Sequence, residues 1–181
     1  MTALGWKIEG ELPDLPKMVV IGAPHTSNWD FFLFLAVIHH FQIKVSFLGK
    51  RSLFRPPFGW MFRKVGGIPV DRGAPGGLVA QVREAFDSSE RMILVIAPEG
   101  TRDAAPNWKS GFVEIAEAAD VPVVFAGVDG VEKVVTISPP EQVGADHGAY
   151  MDKVRAFYVD KDGIRPSGKG PVRLRRETLE S

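Results

Sequence analysis

The chain has 181 residues and is 45% hydrophobic, which suits a domain with a sizeable core. Its 22 basic and 22 acidic residues give a net charge of zero, so the overall charge does not point to nucleic acid and charged partners must be sought in local clusters. The absence of cysteine excludes disulfides, thiolate nucleophiles and zinc–thiolate sites, and it is typical of a reducing compartment.

Runs rich in valine and isoleucine alternate with helical patterns along the chain. Strands are predicted at 17–23, 43–49, 67–72, 91–98, 121–129 and 131–139. Helices are predicted at 28–41, 55–65, 76–89, 107–120 and 144–161. The strand runs alternate little, which is typical of strands buried on both faces. The order predicts a single α/β domain over residues 1–181, with a mostly parallel, mixed sheet flanked by helices. Its motif-bearing core is expected at about 17–139, before a C-terminal helix and basic tail at 144–181.

The stretch "GAPHTSNWDFF" (22–32) contains a first candidate pair, His25 and Asp30. Pro24 follows the predicted strand at 17–23. Three residues of types that favour helix N-caps then come at the start of the predicted helix: Thr26, Ser27 and Asn28. We therefore expect His25 in the turn and Asp30 in the first helical turn, where its carboxylate accepts a hydrogen bond from the imidazole. The other ring nitrogen is then free to take a proton from a hydroxyl. The alternative is that His25 is a helix-capping surface residue, because this spacing also arises by chance.

A second candidate lies in "VIAPEGTRD", directly after a predicted strand. Gly100 permits a tight turn, Thr101 offers a hydroxyl, and Arg102 offers a planar guanidinium suited to phosphate. The alternative is an ordinary turn with an ion pair between Glu99 and Arg102. Ligands of parallel sheets bind where strands end and helices begin, so His25 and Glu99 are expected at one edge of the sheet.

Residues 44–72 form a basic block with seven cations and one carboxylate, a local net charge of +6. Five large apolar side chains interleave with these cations: Phe54, Phe58, Trp60, Met61 and Phe62. This pattern suits an anionic membrane surface bound through residues 50–64, a pantetheine-phosphate donor, or an acidic carrier protein. We expect Lys50 and Arg51 to bind substrate. The alternative is that the aromatic side chains face the core and the basic side chains face solvent. Nucleic acid is not an expected partner, because no recognition motif for it accompanies the block.

Taken in order, these motifs resemble the glycerolipid acyltransferase family, which includes the 1-acylglycerol-3-phosphate acyltransferases. The resemblance runs from about Val19 to Phe125 and rests on the His-x4-Asp spacing, the basic block ending at Arg72, "PEGTR" and "VPVVFAG". It implies an acyltransferase-like fold, with His25 as general base and Asp30 as its partner. It also implies an acceptor site lined by five residues: Arg72, Glu99, Gly100, Thr101 and Arg102.

The implied reaction is acyl transfer from acyl-CoA or acyl carrier protein to a hydroxyl of a lysophospholipid, a glycerol phosphate or a related lipid. A histidine base suffices for this reaction, so neither a metal nor a cofactor is expected. Transfer without an acyl-enzyme is the simpler expectation, because no G-x-S-x-G motif and no cysteine are present. The amides of Gly66 and Gly67 are candidates to stabilise the oxyanion. The alternative is a non-catalytic, peripheral lipid-binding module on the same fold.

We also predict where the protein works. The N-terminus lacks the apolar core of a signal peptide, and no apolar run reaches the about 20 residues needed to cross a bilayer. The expected location is therefore cytoplasmic, peripheral on the cytoplasmic face of the membrane.

Overall fold

A seven-stranded sheet forms the centre of the molecule in the computed structural model, which describes residues 5–57, 59–71, 77–175 and 177. In chain order, the strands are β1 (Lys7–Glu9), β2 (Lys17–Ala23), β3 (Ser46–Lys50), β4 (Gly67–Val70), β5 (Met92–Ile96), β6 (Val123–Asp129) and β7 (Val134–Ile137). In space, their order is β1-β7-β6-β2-β5-β3-β4.

Five α-helices connect or cover these strands within the described ranges. They are α1 (Trp29–Phe41), α2 (Gly59–Lys64), α3 (Gly77–Asp87), α4 (Gly111–Ala119) and α5 (His147–Tyr158). Short 3₁₀ turns form at Arg51–Phe54 and Pro166–Gly168. None of the helices in these ranges is both long and apolar enough to span a bilayer.

Five neighbouring strands of the sheet, from β6 to β4, are parallel. Strand β7 pairs antiparallel to β6, and β1 pairs parallel to β7 at the edge. The predicted α/β class with a mostly parallel, mixed sheet is therefore confirmed. Because β2, β5, β3 and β4 run the same way, the segments that follow their last residues emerge at one edge of the sheet, which we call the carboxyl edge.

Two segments differ from the sequence prediction. The helix predicted at 55–65 begins only at Gly59, because Arg51–Phe54 form a 3₁₀ turn and Pro56 and Pro57 follow it without N–H groups to donate. Strand β1 was not predicted, since its three residues contain only one apolar side chain. It forms because β7 offers a free edge, with Ile8 opposite Val135.

Helices cover both faces of the sheet, but the two layers differ. On one face, α3, α4 and α5 pack on strand residues such as Ile21, Leu94 and Phe125 in a closed core. On the other face, Leu33 of α1 joins a smaller cluster with Val20 and other strand residues. The 3₁₀ turn before α2 shares this second face, because Phe54 packs against the backbones of Gly49 and Gly67.

Helix α1 is apolar on almost all sides. Its polar residues are Asp30 in the first turn and two histidines in the last turn. Leu33 is buried, whereas Trp29 and Phe32 on the outer side are 67% and 60% exposed. An amphipathic surface helix usually carries charged residues on its outer side, so α1 departs from that pattern.

Candidate active site

His25 and Asp30 lie at the carboxyl edge, between the end of β2 and the start of α1. Nδ1 of His25 is 3.0 Å from Oδ2 of Asp30. The same carboxylate oxygen accepts the backbone N–H groups of Thr26 and Ser27, each at 2.7 Å. Three donors therefore converge on one oxygen of Asp30. The structure places His25 next to Asp30, as the sequence predicts.

This geometry assigns different roles to the two nitrogens of the imidazole. The Asp30 carboxylate is an acceptor, so Nδ1 carries the proton and Nε2 presents a lone pair. No hydrogen bond to Nε2 is made by the part of the chain that the structure describes. The His25 side chain is 29% exposed and that of Asp30 only 10%, so a reactant can reach the imidazole while the carboxylate behind it stays shielded.

The N-terminus of α1 is organised mainly by Asp30. Of the three expected N-cap side chains, Ser27 accepts the backbone N–H of Trp29 at its hydroxyl over 3.2 Å. Asn28 occupies the N-cap position, but its side chain makes no capping hydrogen bond. Asp30 instead accepts two N–H groups of the preceding turn, and its charge is stabilised further by the positive end of the helix dipole. The alternative interpretation of His25 as a capping surface residue does not fit, because its ring nitrogen binds this carboxylate.

Glu99 links the second motif to the first. It follows β5, is only 6% exposed, and accepts the backbone N–H of His25 at Oε1 over 3.1 Å. Burial raises the pKa of its carboxyl above the ordinary value, although hydrogen bonds from backbone N–H groups act in the opposite direction. No ion pair joins Glu99 to Arg102 among the described residues, so the alternative of a simple surface ion pair is wrong.

The turn after Glu99 exposes the rest of the motif. Gly100 has a φ of +67°, a conformation that favours glycine, and the Lys109 side chain lies directly over it. Thr101 is exposed, and its hydroxyl accepts the N–H of Asp103 at 3.3 Å. Arg102 is exposed, and no described residue binds its guanidinium. Two cations, Arg102 and Lys109, therefore lie at this turn.

A cavity of ≈ 400 Å³ lies between α1 and the sheet. His25, Asp30 and Arg102 line it at the carboxyl edge, and Phe41 and Ile43 line it near the far end of α1. The remaining lining is almost entirely apolar, with side chains from α1, five strands and the segment before β2. The candidate base therefore lies at the polar end of a long apolar cavity.

The other predicted site residues lie apart from this cavity. Lys50 and Arg51 are exposed at the end of β3, at the carboxyl edge, but they do not line the cavity. Arg72 lies outside the described residues.

The prediction that Gly66 and Gly67 stabilise the oxyanion needs correction. Gly67 begins β4 opposite Phe47, and Gly66 lies beside Val45, so both are at the edge of the sheet opposite His25. The N–H of Gly66 is already donated to the carbonyl of Arg63 at 3.0 Å. The glycines serve a tight turn between α2 and β4, which the sequence could not distinguish from an oxyanion-binding loop.

In the ranges that the structure describes, no three histidine or carboxylate side chains lie close enough together to hold a metal ion.

A model of the family described as Acyltransferase matches residues 7–128. The chain belongs to the acyltransferase family. The sequence resemblance to glycerolipid acyltransferases is thereby confirmed at the level of the family. The matched range contains the His25–Asp30 pair, the Glu99–Arg102 turn and most of the residues around the cavity.

Two known proteins are similar to this acyltransferase. A 1-acyl-sn-glycerol-3-phosphate acyltransferase of Streptococcus pneumoniae (strain ATCC BAA-255 / R6) is 28% identical, over 88% of this chain and 62% of that protein. The chain thus spans less than two thirds of that relative's length. The crystal structure of the 1-acyl-sn-glycerophosphate (LPA) acyltransferase PlsC from Thermotoga maritima matches with a TM-score of 0.58 and 20% identity, covering 81% of this chain and 67% of that one. At this identity, the likeness shows the fold alone.

The segment at 163–168 supports the acyltransferase motifs, and sequence reasoning missed this role. Thr26 is buried, and its hydroxyl accepts the N–H of Arg165 at 3.0 Å. The Arg165 guanidinium donates to the carbonyl of Arg102 at 3.0 Å. Gly163 and Gly168 lie so close to Thr26 that a side chain at either position would collide with it. Residues 163–168, which belong to the predicted C-terminal basic tail, therefore hold the turns that contain His25 and Arg102 in place.

Sequence reasoning missed two further features. Lys109 is ten residues beyond Glu99 and carries no motif of its own, so only the fold reveals its position over Gly100. The cavity draws its lining from many separate segments, and no local pattern marks it. The sequence offered one indication of the cavity, which is that α1 is apolar on almost all sides. A helix of this kind is expected to contact apolar groups on more than one side.

Proposed function

We propose that this protein transfers a fatty acyl group from a thioester, acyl-CoA or acyl carrier protein, to a hydroxyl of a lysophospholipid, a glycerol phosphate or a related lipid. A 1-acylglycerol-3-phosphate is the preferred acceptor in this proposal, since a similar protein carries that name. The observation that carries the proposal is the His25–Asp30 pair, 3.0 Å apart, at the polar end of an apolar cavity.

In the proposed reaction, Nε2 of His25 removes the proton of the acceptor hydroxyl as its oxygen attacks the thioester carbonyl. The new C–O bond forms and the C–S bond breaks, and the imidazolium returns the proton to the leaving thiolate. Asp30 keeps Nδ1 protonated and stabilises the imidazolium between these steps. This reaction is a direct transfer, because the acceptor oxygen is the nucleophile and His25 acts only as the base.

The cavity is proposed to hold the acyl chain. Beyond His25, Asp30 and Arg102 at the carboxyl edge, its lining is apolar, and each buried methylene contributes about 0.8 kcal/mol of favourable transfer free energy. A chain bound there would place its carboxyl end towards His25. The length of the cavity would then set the preference for acyl-chain length.

Arg102 and Lys109 are proposed to bind the phosphate of the acceptor. Both are exposed cations at the turn that follows Glu99, and the guanidinium of Arg102 is free of described partners. A guanidinium binds phosphate with two parallel hydrogen bonds, and an ammonium adds a point charge. Arg72 is proposed to assist on the strength of the family motif alone.

The test of this proposal is radiolabelled acyl transfer from acyl-CoA and from acyl carrier protein into a panel of acceptors. The His25→Ala protein should fold normally and lose turnover by about 10²-fold or more. The matched control is His39→Ala, an exposed histidine at the other end of α1. Near-normal transfer by folded His25→Ala protein would exclude the mechanism. Lipid binding by a wild-type protein without turnover would favour the non-catalytic module.

Residues 50–64 are proposed to contact an anionic membrane, on its cytoplasmic face because thioester donors are made there. Trp60 and Met61 are 66% and 44% exposed, and exposed cations flank them: Lys50, Arg51, Arg55 and Lys64. Phe54 packs inward, so the core-facing alternative holds for part of this stripe only. Each cation near an anionic surface contributes about 1 kcal/mol, so Arg63→Glu with Lys64→Glu should weaken binding more than tenfold at low salt in liposome co-sedimentation. Wild-type protein that stays unbound there would contradict the proposal.

A further inference from the structure

The exposed apolar side chains are concentrated in one part of the molecule. Among the described residues, ten large apolar side chains are exposed, and eight of them lie between positions 29 and 65. The eight come from α1, from α2 and from the segments next to α2: Trp29, Phe31, Phe32, Leu35, Leu53, Trp60, Met61 and Val65. A concentration of this kind marks an interaction surface, whereas single exposed apolar residues do not.

The outer side of α1 supplies an aromatic cluster that the basic block does not contain. Trp29 and Phe32 are three residues apart and so share one side of the helix, and their ring centroids are 5.4 Å apart. The ring of Phe31 contacts that of Phe32 at 5.9 Å. We call Trp29, Phe31 and Phe32 the aromatic cluster. All three side chains are more than half exposed, so the cluster contributes little to the core.

The charges around this cluster match an anionic lipid surface. Between positions 29 and 65, Asp30 is the only carboxylate, and it is turned into the active site with 10% of its side chain exposed. Over the same range, five exposed cations lie at the end of β3 and around α2: Lys50, Arg51, Arg55, Arg63 and Lys64. Aromatic side chains beside cations, without exposed carboxylates, are typical of interfacial membrane binding.

Phe31 connects this surface to the cavity. It lines the cavity at the end where His25 lies, and it is also 56% exposed. Apolar surface therefore continues from the outside of α1, past Phe31, into the cavity. An acyl chain that enters the cavity there does not need to leave an apolar environment.

We propose that the aromatic cluster inserts into the interface of an anionic membrane, and that the acyl chain of a lipid substrate passes between the bilayer and the cavity beside Phe31. The second half of this inference rests on the proposed acyl-transfer function; the first half does not. With the aromatic cluster, the proposed membrane contact includes α1 as well as residues 50–64. This contact then has a role in substrate entry.

Binding is tested by co-sedimentation with vesicles of equal parts phosphatidylglycerol and phosphatidylcholine, in 0.1 M and 1 M salt. The Trp29→Ser/Phe32→Ser protein should bind at least about tenfold more weakly than wild type at both salt concentrations, because lost apolar burial is not screened. The matched control is Val159→Ser, which removes a 72% exposed apolar side chain on the far side of the sheet, and its binding should be unchanged. Equal binding by the double variant and wild type would overturn the proposal.

Insertion is tested by fluorescence quenching with lipids brominated in their acyl chains. The Trp60→Phe protein retains Trp29 as its one strongly exposed tryptophan among the described residues, since Trp6 is half-buried and Trp108 is buried. Its emission should be quenched on vesicle binding, and the quenching should be largely lost in Trp29→Phe/Trp60→Phe. Quenching that is the same in both proteins would show that Trp29 stays outside the bilayer.

Substrate entry is tested by comparing two presentations of the acceptor. The Trp29→Ser/Phe32→Ser protein should transfer acyl groups to a dissolved short-chain acceptor as well as wild type does, and at least about tenfold more slowly to a long-chain acceptor held in vesicles. Equal losses on both acceptors would overturn lateral entry.

Two further outcomes separate this inference from its alternatives. If wild type transfers no acyl group to any acceptor, the proposed function fails, and the sedimentation and quenching results still decide whether the cluster inserts. If the double variant changes the mass of the protein in solution without changing vesicle binding, a second copy of the chain covers the cluster and the membrane proposal is wrong.

Discussion

The backbone N–H of His25 donates a hydrogen bond to Oε1 of Glu99 at 3.1 Å, across 74 positions of sequence. This contact ties the turn that holds the candidate base to the turn that holds Arg102. Glu99 is buried and has a raised pKa, so its charged form is disfavoured relative to the unfolded chain. The consequences of this contact can be measured separately from catalysis.

Glu99→Gln should change how stability depends on pH. A group with a raised folded-state pKa contributes stability that is present below its ordinary pKa of 4.5 and is lost as the pH rises through the folded-state value. Glutamine keeps an oxygen that can accept the His25 N–H but does not titrate. The Tm of wild type should therefore fall relative to that of Glu99→Gln as the pH rises above 4.5. A Tm difference that is constant with pH would contradict the assignment.

Asp30→Asn should lower kcat by about 10²-fold or more with little change in the KM of either substrate. Asparagine has the same shape and can still accept the N–H groups of Thr26 and Ser27, but it cannot stabilise the imidazolium. Steady-state kinetics with both substrates varied would check this. Asp14→Asn, at an exposed ion pair with Arg91, is the matched control and should be unaffected. A loss seen only in KM would assign Asp30 to binding instead.

Arg102→Ala should raise the KM of a phosphate-bearing acceptor by at least about tenfold, while the KM of the thioester changes little. Arg102→Lys should recover this only in part, because an ammonium cannot form the two parallel hydrogen bonds of a guanidinium. An acceptor of the same chain length without phosphate should be transferred equally by all three proteins. Equal effects on both substrates would instead indicate that Arg102 holds the turn in shape.

Gly22→Leu should shorten the acyl chain that the enzyme prefers. Gly22 lines the cavity from β2, and a methyl group there would lie 3.9 Å from Cγ1 of Val95, so a larger side chain must extend into the cavity. Each methylene that no longer fits costs about 0.8 kcal/mol, or about fourfold in kcat/KM. Thioesters of increasing length measure the shift. Gly144→Leu, at an exposed glycine with open space around it, should leave the preference unchanged.

The sequence predicted what depends on local pattern and on motif spacing. The α/β sheet followed from apolar runs, and the proximity of His25 to Asp30 followed from a turn placed before a helix. The oxyanion prediction went wrong at Gly66 and Gly67, because a pair of glycines indicates a tight turn without indicating the edge of the sheet. The contribution of Arg165 and the position of Lys109 depend on contacts between distant segments. Such contacts leave no trace in a local pattern, and neither could be predicted.

The exposed side of α1 also has a practical consequence for work with this protein. Trp29 and Phe32 are 67% and 60% exposed and bury little against the rest of the molecule, so polar substitutions there should leave the fold intact. The same substitutions should improve behaviour in concentrated aqueous solution, since exposed apolar patches promote aggregation. Selection for soluble, well-expressed variants would therefore favour loss of Trp29 and Phe32. Assays of stability or of secondary structure would not detect the lost membrane contact. An assay with a lipid surface present is needed to keep them.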